Sequence, residues 1–330
     1  MKRRYPNTRA RRLRSKKSIR NLVKETSLNT NDLIQPVFLV NGKNKKQKIK
    51  SMPDIERVSI DNAIKYIRKL KNLGVGGIAL FPHIERKLKS SDASESYNPD
   101  GLIQRAIYEI KSRVEDINII SDVALDPYTI HGQDGLRSKE GEILNDETVE
   151  VLAKQAVSHA DAGADIVAPS DMMDGRIKKI RESLERNSFK DTIILSYAAK
   201  YSSNFYGPFR DAVGSQKNLG SSKKDTYQMD YRNVNEALKE VELDINEGAD
   251  IVMVKPGLPY LDIVKEIKNK FNIPIFIYQV SGEYSMIKAA AKNGWLNEKE
   301  IVMEALACMK RSGANAIITY YAKNILEWMK

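Results

Sequence analysis

Short apolar runs alternate with amphipathic stretches along most of the chain. The apolar runs are rich in β-branched residues and are short enough to form single buried strands. We predict eight such strands, at 33–40, 76–83, 117–126, 165–171, 192–200, 250–257, 274–282 and 316–322. The intervening patterns predict helices, including 59–73 with Ser59 as N-cap, 102–114 and 147–162. Because the runs are so uniformly apolar, we expect strands covered on both faces, as in a parallel sheet.

One local pattern recurs where a predicted helix gives way to a strand. It appears as AGADIV at 162–167, EGADIV at 247–252 and SGANAI at 312–317. A glycine suits the left-handed turn that ends a helix, so each copy is typical of a helix-to-strand connection. Eight repeated units predict an α/β fold, a (β/α)₈ TIM barrel. A doubly wound open sheet is the alternative, but no strand-to-helix turn carries a GxGxxG phosphate fingerprint.

Composition indicates a folded protein in a reducing compartment. The 330 residues are 42% hydrophobic and 29% charged, which excludes a disordered chain. No run approaches the roughly eighteen apolar residues of a membrane span, so we expect no membrane association. The single cysteine, Cys308, cannot form an intrachain disulfide or a cysteine-rich zinc site. We therefore expect a cytoplasmic location.

The net charge of +11 is concentrated at the amino terminus. Residues 1–24 hold eleven of the 54 lysines and arginines and no acidic residue, and the remaining 43 basic residues equal the 43 acidic ones. We therefore divide the chain into a basic arm, residues 1–30, and a catalytic domain, residues 31–330. The arm lacks the apolar core of a secretory signal. It could reach over a neighbouring subunit, bind nucleic acid or resemble a transit peptide. The neutral body favours the neighbouring subunit.

Polar side chains cluster where the predicted strands end. In a barrel of this kind, chemistry takes place at the carboxyl ends of the strands. The residues found there are Asp122, Asp126, Ser170, Asp171, Tyr197, Lys200, Lys255, Ser281 and Tyr320. Each alone is explained as a polar residue ending a strand, but together they predict one reactive mouth.

Two lysines, Lys200 and Lys255, end adjacent predicted strands. Two ammonium ions at one mouth repel each other, and each lowers the pKa of the other. An amine with a pKa near 7–8 is a nucleophile that forms Schiff bases with ketones and aldehydes. If Lys255 is considered alone, the alternative to a nucleophile is an ordinary lysine at a strand end whose charged group reaches solvent.

The connection after Lys200 is the longest irregular segment, at about 201–232. Loops longer than roughly 12–15 residues are usually functional or disordered. We predict an active-site lid whose cations meet an anionic substrate, and they are Arg210 with Lys217, Lys223 or Lys224. A disordered surface loop is the alternative.

A third feature is the connection DVALDPYTIHGQDG. It presents Asp122, Asp126 and Asp134 with His131 between them. These carboxylates could hold a hard cation such as Mg²⁺ or transfer protons.

Five separated motifs resemble the porphobilinogen synthase family, also called 5-aminolevulinate dehydratase. They are DVALDPYTIHGQDG, APSDMMDGR, LSYAAKYSSNFYGPFRDA, MVKPGLPYLDIV and YQVSGEY, and they occur in the family's order over nearly the whole chain. The resemblance implies a metal-assisted TIM-barrel lyase of tetrapyrrole synthesis. It would condense two 5-aminolevulinate molecules asymmetrically into porphobilinogen and release two waters.

The resemblance also implies roles for individual residues. Lys255 would form a Schiff base with the substrate that becomes the propionate side, and Lys200 would handle the other substrate. Ser281 and Tyr320 would bind the carboxylate of the first substrate. Arg210 and Lys224, with Gln228 close by, would bind the carboxylate of the second.

One departure from the family pattern and one match to it bear on the metal. Many family members carry three cysteines where this chain has Ala124, Asp126 and Asp134. The chain therefore resembles the aspartate-rich, magnesium-type branch, and we expect neither catalytic zinc nor an organic cofactor. Whether Asp126 and Asp134 hold an ion stays open. Glu240 matches the family's regulatory Mg²⁺ ligand outside the active site, although sequence alone favours a solvated helix glutamate.

One further departure is Lys224, which stands where the family often has arginine and so keeps the charge but loses the bidentate fork. The resemblance also implies a homo-octamer of dimers whose arms embrace neighbouring barrels, and no nucleic-acid partner. The rival functions are another Schiff-base aldolase barrel, with one essential lysine, and a nucleic-acid-binding protein that uses the basic arm.

Overall fold

The computed structural model describes residues 4–214 and 223–330, and its centre is a closed barrel of eight parallel strands. The barrel strands are β1 (Leu33–Val40), β4 (Gly77–His83), β5 (Ile119–Val123), β8 (Ile166–Pro169), β9 (Ile193–Lys200), β10 (Ile251–Lys255), β11 (Ile275–Gln279) and β12 (Ala316–Thr319). Each lies within its predicted range, so the eight predicted strands are confirmed.

The pairing of β12 with β1 closes the barrel. The neighbours run in the order β12, β11, β10, β9, β8, β5, β4, β1, all parallel, and Leu33 and Ile34 of β1 pair with Ile317 and Ile318 of β12. An open sheet would leave β1 and β12 as edges, so that alternative is wrong. The TIM barrel is confirmed.

Helices connect the strands and cover the outside of the barrel. They are α1 (Lys17–Leu22), α2 (Ile60–Asn72), α3 (Leu102–Arg113), α4 (Asn145–Asp161), α5 (Arg176–Arg186), α6 (Gly207–Val213), α7 (Asn235–Asn246), α8 (Leu261–Lys270), α9 (Ser281–Lys292), α10 (Glu298–Ser312) and α11 (Ala322–Trp328). Short 3₁₀ turns lie at Ala10–Arg14, Thr30–Asp32, Arg86–Leu88, Ser94–Tyr97, Asn204–Tyr206 and Leu258–Tyr260. The predicted helices at 59–73, 102–114 and 147–162 are confirmed to within two residues.

The glycine connections behave as predicted, whereas the Ser59 cap does not. Gly163, Gly248 and Gly313 follow their helices with φ of +101°, +107° and +127°, the region that side chains with a Cβ avoid. Ser59 precedes α2, but its hydroxyl does not cap the helix. Instead Ser59 Oγ accepts a hydrogen bond from the Lys45 amide at 2.9 Å. A competing backbone donor therefore takes the capping oxygen.

Two short hairpins escaped sequence analysis. The first consists of β2 (Lys46–Lys48) and β3 (Glu56–Val58), and β3 extends the sheet beside β1. The second consists of β6 (Leu136–Arg137) and β7 (Ile143–Leu144). Strands of two or three residues, as in the fully exposed KQK of β2, are too short to show an apolar period.

The core fills the barrel and the layer between strands and helices. Every residue of β1 is buried, as are the residues of β8 and β12. Near the strands' carboxyl ends, five aromatic rings pack with centroids 5.3–6.3 Å apart. They belong to Phe38, Phe81, Phe209, Tyr278 and Tyr320. In the described part of the chain, helices long and apolar enough to cross a bilayer do not occur.

Residues 4–24 of the basic arm lie outside this core, although Leu28 packs against it. The turn at Ala10–Arg14 and helix α1 contain no buried residue. Tyr5, Leu13 and Leu22 expose 74%, 56% and 81% of their surface. The arm is therefore an extension that gains little from its own barrel.

Candidate active site

Lys200 and Lys255 lie side by side at the mouth of the barrel. Both are the last residues of their strands, and the parallel register of β9 and β10 pairs them directly. Each is only 5% exposed. The sequence prediction that two lysines meet at the strand ends is confirmed by this register.

Aromatic rings enclose the Lys255 amine. Four ring centroids lie 4.7–5.3 Å from Nζ. The rings are those of Tyr197, Tyr206, Phe209 and Tyr278. Burial, with the neighbouring charge of Lys200, lowers the pKa of Lys255 to about 7, although the charge of Asp122 acts in the opposite direction. A large fraction of the amine is therefore neutral and nucleophilic near pH 7.

Oxygen atoms surround Lys200 instead. Its Nζ donates a hydrogen bond to the Ser170 carbonyl oxygen and lies 3.9 Å from Asp134 Oδ2. The ring of Tyr197 is farther away, at 6.0 Å. The two lysines thus have different surroundings, and the site can treat two substrate molecules differently.

Three carboxylates line the same mouth. Burial raises the pKa of Asp122 to about 7, against the charge of Lys255. Burial also raises the pKa of Asp126, although Lys224 opposes the shift. For Asp134, burial favours the neutral acid, but the charges of Lys200 and Lys224 outweigh it and lower the pKa. Asp122 can therefore exchange protons near neutral pH, whereas Asp134 stays ionised.

Lys224 bridges two of these carboxylates. Its Nζ lies 3.3 Å from Asp126 Oδ2 and 3.1 Å from Asp134 Oδ2, and the residue is 7% exposed. The ammonium occupies the position that a cation shared by Asp126 and Asp134 would take. Within residues 4–214 and 223–330, no cluster of three or more His, Cys, Asp or Glu could hold a metal. An active-site metal at these carboxylates does not fit this arrangement.

The root of the predicted lid covers the lysines. Tyr206 Oη donates to the Lys255 carbonyl oxygen at 3.2 Å, and Phe209 contributes a ring to the Lys255 enclosure. At the other end of the segment, the Met229 amide donates to the Lys200 carbonyl oxygen at 3.1 Å. Lys217 lies outside the described residues, and Lys223 is exposed.

A small cavity lies between these groups. It is lined by Asp122, Asp126, Asp134, Ser170, Lys200, Tyr206, Phe209, Arg210, Lys224, Gln228 and Lys255. Of the residues predicted to bind substrate carboxylates, it includes Arg210 and Lys224. A larger cavity lies away from the mouth, beside Gln35, Tyr66 and Lys69. We assign the site to the first cavity because the reactive lysines converge there.

Ser281 and Tyr320 do not line that cavity directly. Ser281 Oγ accepts a hydrogen bond from the Phe209 amide at 2.9 Å. The hydroxyls of Tyr320 and Tyr278 are hydrogen-bonded at 2.9 Å. Ser281 and Tyr320 therefore each contact a residue whose ring encloses the Lys255 amine.

Asp171 was predicted at the mouth, and that placement is wrong. It is fully buried, and its Oδ2 lies 3.6 Å from Nε of Arg176. Arg176 in turn lies 3.3 Å from Asp244 of α7. Burial raises the pKa of Asp171 to about 6, against the charge of Arg176. Sequence analysis missed this network because Asp244 lies 68 positions from Arg176, and no local pattern pairs residues at that separation.

Glu240 lies on α7, half-buried and away from the mouth. Burial raises its pKa, Arg176 opposes the shift, and the negative charges of Asp244, Asp174 and Glu236 add to it. One carboxylate in a negatively charged region suits a hydrated Mg²⁺, which keeps several waters and needs only one or two protein carboxylates.

Comparisons with known proteins agree over nearly the full length. The family model described as delta-aminolevulinic acid dehydratase matches residues 7–328. A delta-aminolevulinic acid dehydratase of Bradyrhizobium diazoefficiens is 52% identical over 98% of this chain and 91% of its own. That of Bacillus subtilis is 49% identical over 97% of this chain and 98% of its own.

A solved structure is equally similar. It is delta-aminolevulinic acid dehydratase (porphobilinogen synthase) from Toxoplasma gondii ME49, in complex with the reaction product porphobilinogen. It superposes with a TM-score of 0.95 at 48% identity, over 97% of this chain and 91% of that one.

Proposed function

The chain belongs to the delta-aminolevulinic acid dehydratase family, and on that premise we propose that it condenses two 5-aminolevulinate molecules into porphobilinogen. Two waters leave in this lyase reaction, which serves tetrapyrrole biosynthesis. The observation that carries the proposal is the in-register pair of buried lysines, one of them with its pKa lowered to about 7. An aldolase barrel with one essential lysine does not require that pair.

Lys255 is the proposed nucleophile toward the first substrate. Its neutral amine attacks the ketone carbon, and loss of one water from the adduct leaves a protonated Schiff base. Because aromatic faces attract cations, the four rings around Nζ stabilise that iminium. Asp122, whose pKa is about 7, is the proposed proton donor to the departing hydroxyl.

Lys200 is proposed to bind the second substrate through its own amine. Its hydrogen bond to Ser170 and the nearby Asp134 carboxylate fix the position of Nζ beside Lys255. Holding both ketones at neighbouring amines makes the condensation effectively unimolecular.

Two sets of side chains are proposed to bind the substrate carboxylates. Ser281 and Tyr320 would hold the first, since both contact the enclosure of Lys255. Arg210 and Lys224 would hold the second, with Gln228, since all three line the cavity. Lys224 must then leave Asp126 and Asp134, so a substrate carboxylate replaces two internal ones. We propose 201–232 as the lid that accompanies this exchange.

We assign none of these steps to a metal ion, because the Lys224 ammonium lies between Asp126 and Asp134. The family is metal-dependent. We propose Mg²⁺ at Glu240, where its charge would neutralise the acidic surroundings of α7. In Mn²⁺ titrations followed by electron spin resonance, loss of one bound Mn²⁺ in Glu240→Gln would support this site. Unchanged Mn²⁺ binding would contradict it.

We also propose that residues 1–30 form an arm that binds a neighbouring barrel, as in the octamer expected from sequence. The exposed apolar side chains of the described arm support this, because they gain burial only from a partner.

Borohydride trapping tests the proposed function. In the presence of 5-aminolevulinate, reduction should leave a stable adduct on the Lys255 peptide, identified by mass spectrometry. Lys255→Ala and Lys200→Ala should both abolish product formation. An unmodified Lys255 peptide, or full activity in Lys200→Ala, would contradict the proposal, and the second result would favour the aldolase alternative.

A further inference from the structure

Glu283 is a fully buried carboxylate on the first turn of α9. It accepts three hydrogen bonds from backbone amides. Oε2 accepts from Val280 at 2.7 Å and from Gly257 at 3.1 Å, and Oε1 accepts from Leu258 at 2.7 Å. Backbone dipoles, rather than a cationic side chain, therefore satisfy this buried group.

The position of these donors is more informative than their number. Val280 is the residue before α9, so its bond is the carboxylate half of a capping box at a helix start, since valine has no side-chain acceptor to return a bond. The other two donors come from another segment. Gly257 and Leu258 follow Lys255 by two and three residues, at the end of the neighbouring strand β10. One carboxylate thus joins the segment after Lys255 to the segment that carries Ser281.

The backbone contacts at this point leave no space for a side chain at Gly257 or Gly282. A Cβ on Gly257 would lie 3.2 Å from Glu283 Oε1 and 3.0 Å from the Tyr278 carbonyl oxygen. A Cβ on Gly282 would lie 2.5 Å from the carbonyl oxygen of Phe205, at the lid root. The backbone therefore approaches Glu283 directly, and the lid root rests on the same turn.

A buried carboxylate is costly to maintain. Burial raises the pKa of Glu283 to about 7, and the three amides oppose that shift. An apolar residue would fill the same space without desolvating a charge. Joining two segments through one group is a role that an apolar residue could not perform.

We propose that Glu283 is a positioning residue that holds Lys255 inside its aromatic enclosure by fastening Gly257 and Leu258 to the end of β11. The proposal rests on the proposed function, in which Lys255 forms the Schiff base. If the segment is released, the amine shifts relative to Lys200 and the rings. A displacement of about 1 Å can cost roughly 10²-fold in rate. Water also reaches the amine, so its titration moves to higher pH.

Glu283→Gln is the first test. Glutamine has the same length but only one acceptor oxygen, and its NH₂ group cannot accept a hydrogen bond from a backbone amide. At least one of the three hydrogen bonds is therefore lost, and at Gly257 or Leu258 the NH₂ group faces another donor. The measurement is the single-turnover rate of borohydride trapping at Lys255, with 5-aminolevulinate, across pH 5–10. We expect at least about tenfold slower trapping near pH 7 and a midpoint displaced to higher pH. Glu304→Gln, on the exposed face of α10, is the matched control and should behave like wild type.

Each outcome decides the proposal. A folded Glu283→Gln variant with wild-type rate and midpoint overturns it, and so does a slower rate with an unchanged midpoint, which indicates only general loosening. If Glu283→Gln does not fold, Glu283→Asp and Gly257→Ala replace it. Both keep the carboxylate but separate it from one segment, and the same displaced midpoint is expected. Wild-type behaviour in either overturns the proposal. Failure of the wild-type enzyme to form any Lys255 adduct would instead contradict the proposed function.

Discussion

At the scale of single residues, the site depends on which charged groups and rings surround each lysine amine. Lys255 is enclosed by aromatic rings and has a pKa of about 7, whereas Lys200, at the paired position, contacts oxygen atoms. Lys224 neutralises Asp126 and Asp134 without an external ion. The chain therefore supplies from its own side chains the cation that lies between these two carboxylates.

The lowered pKa of Lys255 predicts the pH dependence of trapping. The amine reacts when neutral, so the trapping rate should rise with pH and level off above about pH 7. Lys200→Gln removes a neighbouring positive charge, so the pKa of Lys255 should rise and the midpoint should move up by about 1 unit. Stopped-time borohydride trapping at Lys255 measures both. Lys265→Gln, exposed on α8, is the control. A midpoint that moves down or stays fixed would contradict this account of the pKa.

The Lys224 bridge predicts a gain of metal binding on mutation. Lys224→Met leaves Asp126 and Asp134 without their cation, so the variant should bind one more Mn²⁺ than wild type in equilibrium titrations followed by electron spin resonance. Lys224→Arg keeps the charge and should show no gain. Adding Asp126→Asn to Lys224→Met should remove the new site. A wild-type Mn²⁺ site that disappears with Asp126→Asn alone would show that the ammonium does not exclude metal.

At the scale of elements, the lid root is fixed from two sides. The Phe209 amide of α6 donates to Ser281 at the start of α9. From the opposite side, Arg57 of β3 donates to the carbonyl oxygens of Asp211 and Ala212, at the end of α6. Ser51, in the loop before β3, donates to Asp211 Oδ2 at 2.6 Å. The small β2–β3 hairpin, which sequence analysis missed, thus supports the helix above Lys255.

Arg57→Ala should loosen α6. The side chain is largely buried and satisfies two C-terminal carbonyls of the helix, so we expect a loss of roughly 1–3 kcal/mol in the free energy of unfolding. Amide hydrogen exchange in 207–213 should quicken, because the helix loses the side chain that binds its last carbonyl oxygens. Arg86→Ala, exposed and outside the site, serves as control. Unchanged exchange in 207–213 would mean that the hairpin does not hold the lid root.

At the scale of the whole molecule, the chain divides into a neutral barrel and a basic arm. The barrel buries its strands and reactive lysines by itself, but the described arm buries none of the residues in its short helices. Eleven positive charges and no negative ones within residues 1–24 would repel each other in a free arm. A neighbouring subunit with acidic and apolar surface would neutralise these charges and bury the exposed apolar side chains of the arm.

Deletion of residues 1–24 should therefore reduce the size of the assembly. Sedimentation velocity should show a large oligomer for the full chain and dimers or monomers for the truncated one. Leu13→Ser with Leu22→Ser keeps every charge and should weaken assembly to an intermediate degree, because it removes only the apolar contacts. Identical sedimentation of full and truncated chains would contradict the arm's role. Salt-dependent duplex binding that is lost on deletion would favour the nucleic-acid alternative.

Much of this architecture could be predicted because its signals are local. Eight apolar runs, glycines after three helices and polar residues at strand ends require only short windows of sequence. Since parallel strands in a closed barrel bring their carboxyl ends to one mouth, these windows sufficed to place Lys200 beside Lys255. The resemblance to a known family then identified the reaction, which the residues alone left open between Schiff-base enzymes.

The tertiary structure decided the features that depend on distant residues. Arg176, which contacts Asp171, also pairs with Asp244, 68 positions away. Lys224 bridges two aspartates that are 98 and 90 positions away, and Glu283 joins the segments that follow two strands. Such contacts follow from side-chain packing and from the need to satisfy buried polar groups, and neither is encoded in a local period. The sequence thus determined the barrel and the pair of lysines, and only the folded chain set which charges and rings surround each amine.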